Sequence, residues 1–178
     1  MIRCTVISAL AATLLGVACT KERQVITIPL IDELPRAKIS AKQPSFVSES
    51  VLNVGGDTRK CIFMHPVSTA RFDLVVPAKA KLSFAVGMPQ DVWNKPGDGV
   101  TFHVSIADGT SDPTVAFSRY VNPKAVNEDR VWLEAEVDLS LYEGQRVSLL
   151  LATDSGPSDH PGWDFAGWAD PVIRGMTW

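Results

Sequence analysis

The sequence predicts an all-β protein, an antiparallel β-sandwich of about eight to nine short strands. Three observations carry this expectation. Apolar and polar residues alternate with a period of two through most of the chain, turn residues separate these stretches, and no convincing amphipathic helix interrupts them. At 178 residues, 46% hydrophobic and 21% charged, the chain is long enough for one domain with a sizeable core.

Residues 1–18 stand apart from that domain. Arg3 is followed by a largely apolar stretch from Val6 to Leu15, and "LLGVAC" then places small residues before Cys19. This pattern reads as a processed export signal. The uncharged stretch from Cys4 to Thr20 is short for a stable membrane span and contains Thr5, Ser8 and Thr13. The segment resembles a bacterial lipoprotein signal, with Cys19 as the lipidated first residue, although Gly16 stands where such signals usually carry Leu. The resemblance implies an envelope protein held on a membrane by its acyl chains. Residues 19–44, with Pro29, Pro35 and Pro44, read as a tether that touches the domain, and the domain itself spans 45–178 with order expected from about Phe46.

The strands follow. "SFVSESVLNV" and "KCIFMH" come first. "ARFDLVVP" then sets Phe72, Leu74 and Val76 against Arg71, Asp73 and Val75, and "AKLSFAVG" sets Leu82, Phe84 and Val86 against Lys81, Ser83 and Ala85. "GVTFHVSIADG" gives Val100, Phe102, Val104 and Ile106 one face, and "TVAFSRYV" follows it. "RVWLEAEVDL" puts Val131, Leu133, Ala135, Val137 and Leu139 on one inward side and leaves Trp132, Glu134, Glu136 and Asp138 opposite. In "QRVSLLLATD" the inward set is Val147, Leu149 and Leu151. The last stretch is "WDFAGWADPVI", where Trp163 and Trp168 have opposite parity; a bulge at Gly167 is what would let both face inward.

Composition excludes some partners. A formal charge of −3 and the absence of any Lys/Arg run argue against nucleic acid. Removal of Cys4 with the signal and use of Cys19 for lipid leave Cys61 alone, so no disulfide is expected, and Cys61 reads as a small core residue.

The order of "HPVSTARFDLVVPAKAKLSFAVG", "GDGVTFHVSIADG", "RVWLEAEVDLSLYEGQRVSLLLATD" and "WDFAGWADPVI" resembles the galactose-binding-like jelly rolls of the bacterial NPCBM family of carbohydrate-binding modules. The likeness covers roughly residues 58 to 173. Asp164, Trp168 and Pro171 match that family's ending. The resemblance implies that Asp164 supports the loop-to-strand corner and Trp168 closes the sandwich, with carbohydrate binding as the family's activity. Such domains are usually appended to larger proteins, so a free-standing form would be a binding lipoprotein or a degenerate relative.

Candidate site residues lie in loops. Sugars stack on flat aromatic faces while carboxylates accept their hydroxyl hydrogen bonds. Trp93, Asp98, Asp159, His160 and Trp163 therefore form the expected glycan-binding edge, with Trp132 a further candidate on composition. Asp154, Asp159 and Asp164 could supply oxygens to a structural calcium, against the simpler reading of Asp side chains bonding local backbone amides. Glu134 and Glu136 share a strand face, which suits solvated residues with Arg130 and Arg146 as partners better than a hydrolase pair. His65, His103 and His160 lack zinc-ligand spacing, and no catalytic nucleophile motif occurs. The expected function is a lipid-anchored, cell-envelope module that binds glycan or another envelope component without catalysis and without a required cofactor. A structural or protein-interaction lipoprotein is the alternative, and a hydrolase ranks last.

Overall fold

A computed structural model describes residues 22–109 and 112–178. The described residues form eleven strands: β1 (Val25–Pro29), β2 (Lys38–Ala41), β3 (Val47–Val54), β4 (Asp57–Met64), β5 (Ser68–Val75), β6 (Ala78–Gly87), β7 (Val100–Ala107), β8 (Thr114–Val121), β9 (Leu133–Asp138), β10 (Arg146–Ser155) and β11 (Ala166–Met176). One sheet runs β3-β4-β11-β6-β9 with β1 also on β11, and the other runs β2-β5-β10-β7-β8. Every pairing is antiparallel. The expected β-sandwich is therefore present, with more strands than the sequence reading counted.

The two inner faces supply one core. Ile62, Met64, Leu82, Phe84, Val86, Trp168 and Ile173 come from the first sheet; Phe72, Phe102, Val104, Ile106, Val147, Leu149 and Leu151 come from the second. On strands other than β11 these are the inward sets that a period of two assigns, because successive side chains point to opposite faces; Trp168 and Ile173 differ in parity and both reach the core through a register shift between Ala169 and Val172. Val131, expected to face inward, is instead half exposed, ahead of the strand that begins at Leu133. Trp168 is fully buried, with Phe84 and Phe102 at ring-centroid distances of 5.1 and 5.2 Å. It closes the sandwich.

The two additional strands lie in the segment expected to be a tether. β1 pairs with the end of β11, from Val25↔Met176 to Pro29↔Val172, and β2 pairs with β5. Between them a single helical turn, α1 (Leu30–Glu33), buries Leu30 and Ile31 at the margin of the two sheets. Strand structure is thus already present at Val25, well before Phe46. Pro29 does not exclude a strand here, because it stands at the strand's last position. The signal residues 1–18, Cys4 and Cys19 lie outside the described residues, as does Lys21. Among the described residues, no helix is long and apolar enough to cross a membrane.

β11 is irregular at Asp170–Pro171 and again at Gly175, not at Gly167. β4 occupies one flank of β11 over Ala166–Ala169, and β1 takes over that flank from Val172. The register with β6 shifts between Ala169 and Val172, and Asp170 has φ of 47°. Proline has no amide hydrogen to offer, which suits the change of partner. Gly167 answers to a different constraint. A Cβ there would lie 2.8 Å from Leu52 Cδ1 and 3.1 Å from the Trp132 ring, so glycine lets Trp132 rest on the sheet.

The loops leaving Gly87, Val121 and Ser155, and those entering β5 and β3, gather at one end of the sandwich, called the loop end below. The turns before β6 and β10 lie at the opposite end. Replacing Trp168 with Ala is expected to lower unfolding free energy by about 3–5 kcal/mol, since an indole-sized cavity would open between the sheets. Chemical denaturation of W168A checks this.

Candidate functional site

Asp164 is the organising residue of the loop end. Its side chain is fully buried, and one oxygen, Oδ1, accepts hydrogen bonds from Lys124 Nζ at 2.6 Å and Gly99 N at 3.2 Å. Lys124, itself only 8% exposed, also donates to Pro96 O at 2.6 Å and Trp163 O at 3.2 Å. One ammonium thereby joins the β6–β7, β8–β9 and β10–β11 loops. Gly97 stands at φ 115°, and a Cβ at that position would fall on Lys124 Nζ, Asp164 Oδ1 and Gly162 O. Only glycine leaves room for this corner.

Asp98 is a second clasp. Its carboxylate Oδ2 accepts from Ser158 N at 2.5 Å, its backbone carbonyl accepts from the Tyr120 hydroxyl, and a Cβ on Gly156 would press into its carboxyl group. Asp98 Oδ1 and Asp164 Oδ2 are buried without hydrogen-bond partners. Asp98 ties loops together through Oδ2 and its carbonyl, while burial keeps Oδ1 away from the surface. Asp159 is exposed with φ of 52° and accepts from Ser155 Oγ at 3.0 Å; His160 is exposed, and a Cβ on Gly162 would lie 2.8 Å from its ring.

The expected aromatic pair separates. Trp93 is half-buried, donates its indole N–H to Met88 O at 2.9 Å, and has the Arg130 guanidinium 5.2 Å from its ring centroid. Its indole is committed to packing. Trp132 is 6% exposed in a small apolar cluster with Val54, Cys61, Ala85 and Ala169, and donates to Asp57 O at 3.0 Å. Strand parity places it on the outer face, but the β3–β4 hairpin covers it. Trp163 is different: 47% exposed, in a left-handed turn at φ 61°, just before β11 begins.

Trp163 belongs to a strip of rings that the sequence reading missed. Phe165 lies 6.0 Å from it, His65 lies 5.5 Å from Phe165, Phe46 stacks on His65 at 4.4 Å, and Phe63 meets Phe165 edge-on at 5.6 Å. These four neighbours are all half-buried. Lys95 Nζ stands 5.4 Å from the Trp163 ring centroid, within cation–π range. A signal was available: if Ile62 and Met64 face the core, Phe63 between them must face outward.

The three carboxylates weighed for calcium hold separate partners. Asp154 pairs with His103 at 3.2 Å, Asp159 with Ser155, and Asp164 with the Lys124 ammonium. Among the described residues, no three His, Cys, Asp or Glu side chains gather in metal-binding geometry. This donor set does not fit calcium, because a resident cation already fills the one buried corner. Glu134 and Glu136 take Arg59 at 2.6 Å and Lys81 at 2.7 Å, not Arg130 and Arg146. Arg130 is drawn away by Trp93 and by Pro123 O. Cys61 is fully buried, and burial, reinforced by the Asp170 charge, pushes its thiol up to about 12, which keeps it unreactive at neutral pH.

No protein-family model matches the sequence. An uncharacterised protein of Archaeoglobus fulgidus is 39% identical over 133 residues, covering 71% of this chain and 33% of the archaeal protein; the chain thus spans about a third of that relative's length. Solved structures share the fold at low identity. The CBM51-2 and INT domains of Clostridium perfringens ZmpB, in complex with GlcNAc, align with a TM-score of 0.59 at 18% identity over 85% of this chain and 32% of that one. CBM51 of the Clostridium perfringens GH95 protein, in complex with methyl-galactose, gives 0.57 at 17% over 83% and 99%. The tandem CBM51 modules of Sp3GH98 from Streptococcus pneumoniae give 0.57 at 16% over 96% and 52%. The chain shares the antiparallel β-sandwich fold of these carbohydrate-binding modules.

Lys124→Met is expected to cost about 3–5 kcal/mol, because it strands a buried carboxylate, and adding Asp164→Asn should recover part of the loss. Equilibrium denaturation of the single and double variants measures both. Thermal melting in calcium and in chelator should give one midpoint, and a clear rise with calcium would restore a metal to this corner.

Proposed function

We propose that this protein is a non-catalytic glycan-binding module, tethered to a membrane of the cell envelope through an acylated Cys19. The observation that carries the binding reading is the exposed Trp163 ring, continued by Phe165 and His65, on loops whose backbone is fixed by the Lys124 ammonium. A pyranose presents axial C–H groups to such a face, and a platform that is already rigid loses little entropy on binding. Structural neighbours that hold GlcNAc and methyl-galactose support the same reading.

The polar contacts come from Lys95 beside Trp163, and from exposed Asp159 and His160 in the preceding loop. Trp93 and Asp98 act beneath this surface by holding the loops. Glu134 shares a cavity with Asp170, but Arg59 holds it in an ion pair as Lys81 holds Glu136, and two carboxylates so engaged suit retention better than hydrolysis. The signal over 1–18 and the lipidated Cys19 supply the anchor in this reading.

On a glycan array, the processed chain should retain a defined sugar class. Trp163→Ala should weaken that retention by about tenfold or more with an unchanged melting temperature, whereas Trp93→Ala should act mainly through stability. Unaltered retention by the Trp163→Ala/Phe165→Ala double variant would remove this surface from consideration. Absence of any glycan retention, together with a protein partner recovered by crosslinking, would favour the scaffold alternative.

A further inference from the structure

The end opposite Trp163 carries a surface that glycan binding does not use. β1 starts there, pinned by the Gln24 N–H to Thr177 Oγ1 at 3.0 Å and by the Thr177 N–H to Gln24 O at 2.9 Å. Around that point four large apolar side chains face solvent. Leu141 is 86% exposed, Val25 72%, Trp178 55% and Met176 36%. They lie at one end of the sandwich: Val25 pairs with Met176, and the Trp178 indole nitrogen stands 3.7 Å from where a Cβ on Gly144 would be, in the same β9–β10 turn as Leu141. Single exposed apolar residues are ordinary, but four at the one end of the sandwich where the chain enters the fold are not scattered.

Chain length says what lies near them. Cys19 precedes Val25 by six residues, which span at most about 20 Å when fully extended. An acyl group on Cys19 would hold this end of the domain within that distance of a bilayer. We propose that Leu141, Trp178, Met176 and Val25 form a membrane-contacting surface that seats at the headgroup boundary and turns the Trp163 loops away from the membrane. The proposal rests on the lipid-anchor reading. Amphipathic indole rings favour this boundary. Charges of both signs surround these side chains: Lys79, Arg23 and Arg146 against Glu143, Glu22, Asp108 and Asp112, with the Lys79 N–H donating to Glu143 Oε2 at 3.2 Å. With no excess of positive charge, the contact should need no anionic lipid.

The test uses the full chain, expressed in a cell with a lipoprotein pathway and reconstituted into phosphatidylcholine vesicles with brominated acyl chains, which quench nearby tryptophan emission. Quenching is expected, lost in Trp178→Phe, kept in Trp163→Phe, and reduced in Leu141→Asp. No quenching, or quenching that survives Trp178→Phe, or quenching lost in Trp163→Phe, would overturn the proposed surface. Mass spectrometry of Cys19 reads the anchor separately. A chain held on vesicles by an uncleaved apolar segment would defeat the acylation reading while the quenching pattern still decides the surface, and a chain that neither carries lipid nor binds vesicles would overturn both.

Discussion

A carboxylate removed from water must be neutralised or matched by a cation, and Asp164 is removed completely. That requirement draws Lys124 inward from the β8–β9 loop, and the ammonium, once there, satisfies its remaining donors on carbonyls from two other loops. The geometry of Gly97, the left-handed turn at Trp163 and the start of β11 all follow from one ion pair. Four residues further on, the Trp168 indole is sealed between the sheets. The short terminal stretch thus anchors the loops with its carboxylate and the core with its second tryptophan, which leaves its first tryptophan outside.

The division of labour between core and surface follows. Residues that look chemically suggestive in a linear reading are mostly structural: Asp98 clasps a loop, Trp93 donates to the backbone under Arg130, and Trp132 fills the outer face of a sheet. The exposed chemistry is spread along a strip of rings drawn from β4 and from the segments leading into β3, β5 and β11. Such a strip suits many weak stacking contacts better than one deep cavity.

Strand parity made the sandwich legible in the sequence, because a period of two assigns Leu82, Phe84, Phe102 and Val104 to the core without knowledge of their partners. The same rule set Trp163 apart from Trp168. What parity lacks is long-range pairing. It did not show that β3 and β4 would fold over Trp132, or that Lys124 would cross to Asp164 forty residues away. Nor did proline spacing reveal β1 and β2, whose hydrogen bonds come from strands far along the chain. Local pattern names the inward side chains; tertiary partners decide which outward ones stay exposed.

The antiparallel seating of β1 on β11 has a mechanical consequence. A tug toward the end where Val25 sits, opposed by a ligand held at the Trp163 loops, would run nearly parallel to the strands. Force in that direction loads the β1–β11 hydrogen bonds together in shear instead of opening them one after another as a zipper. A tether joined in this way would transmit strain along the strands into the sheet, resisting detachment by the cooperativity of a whole ladder.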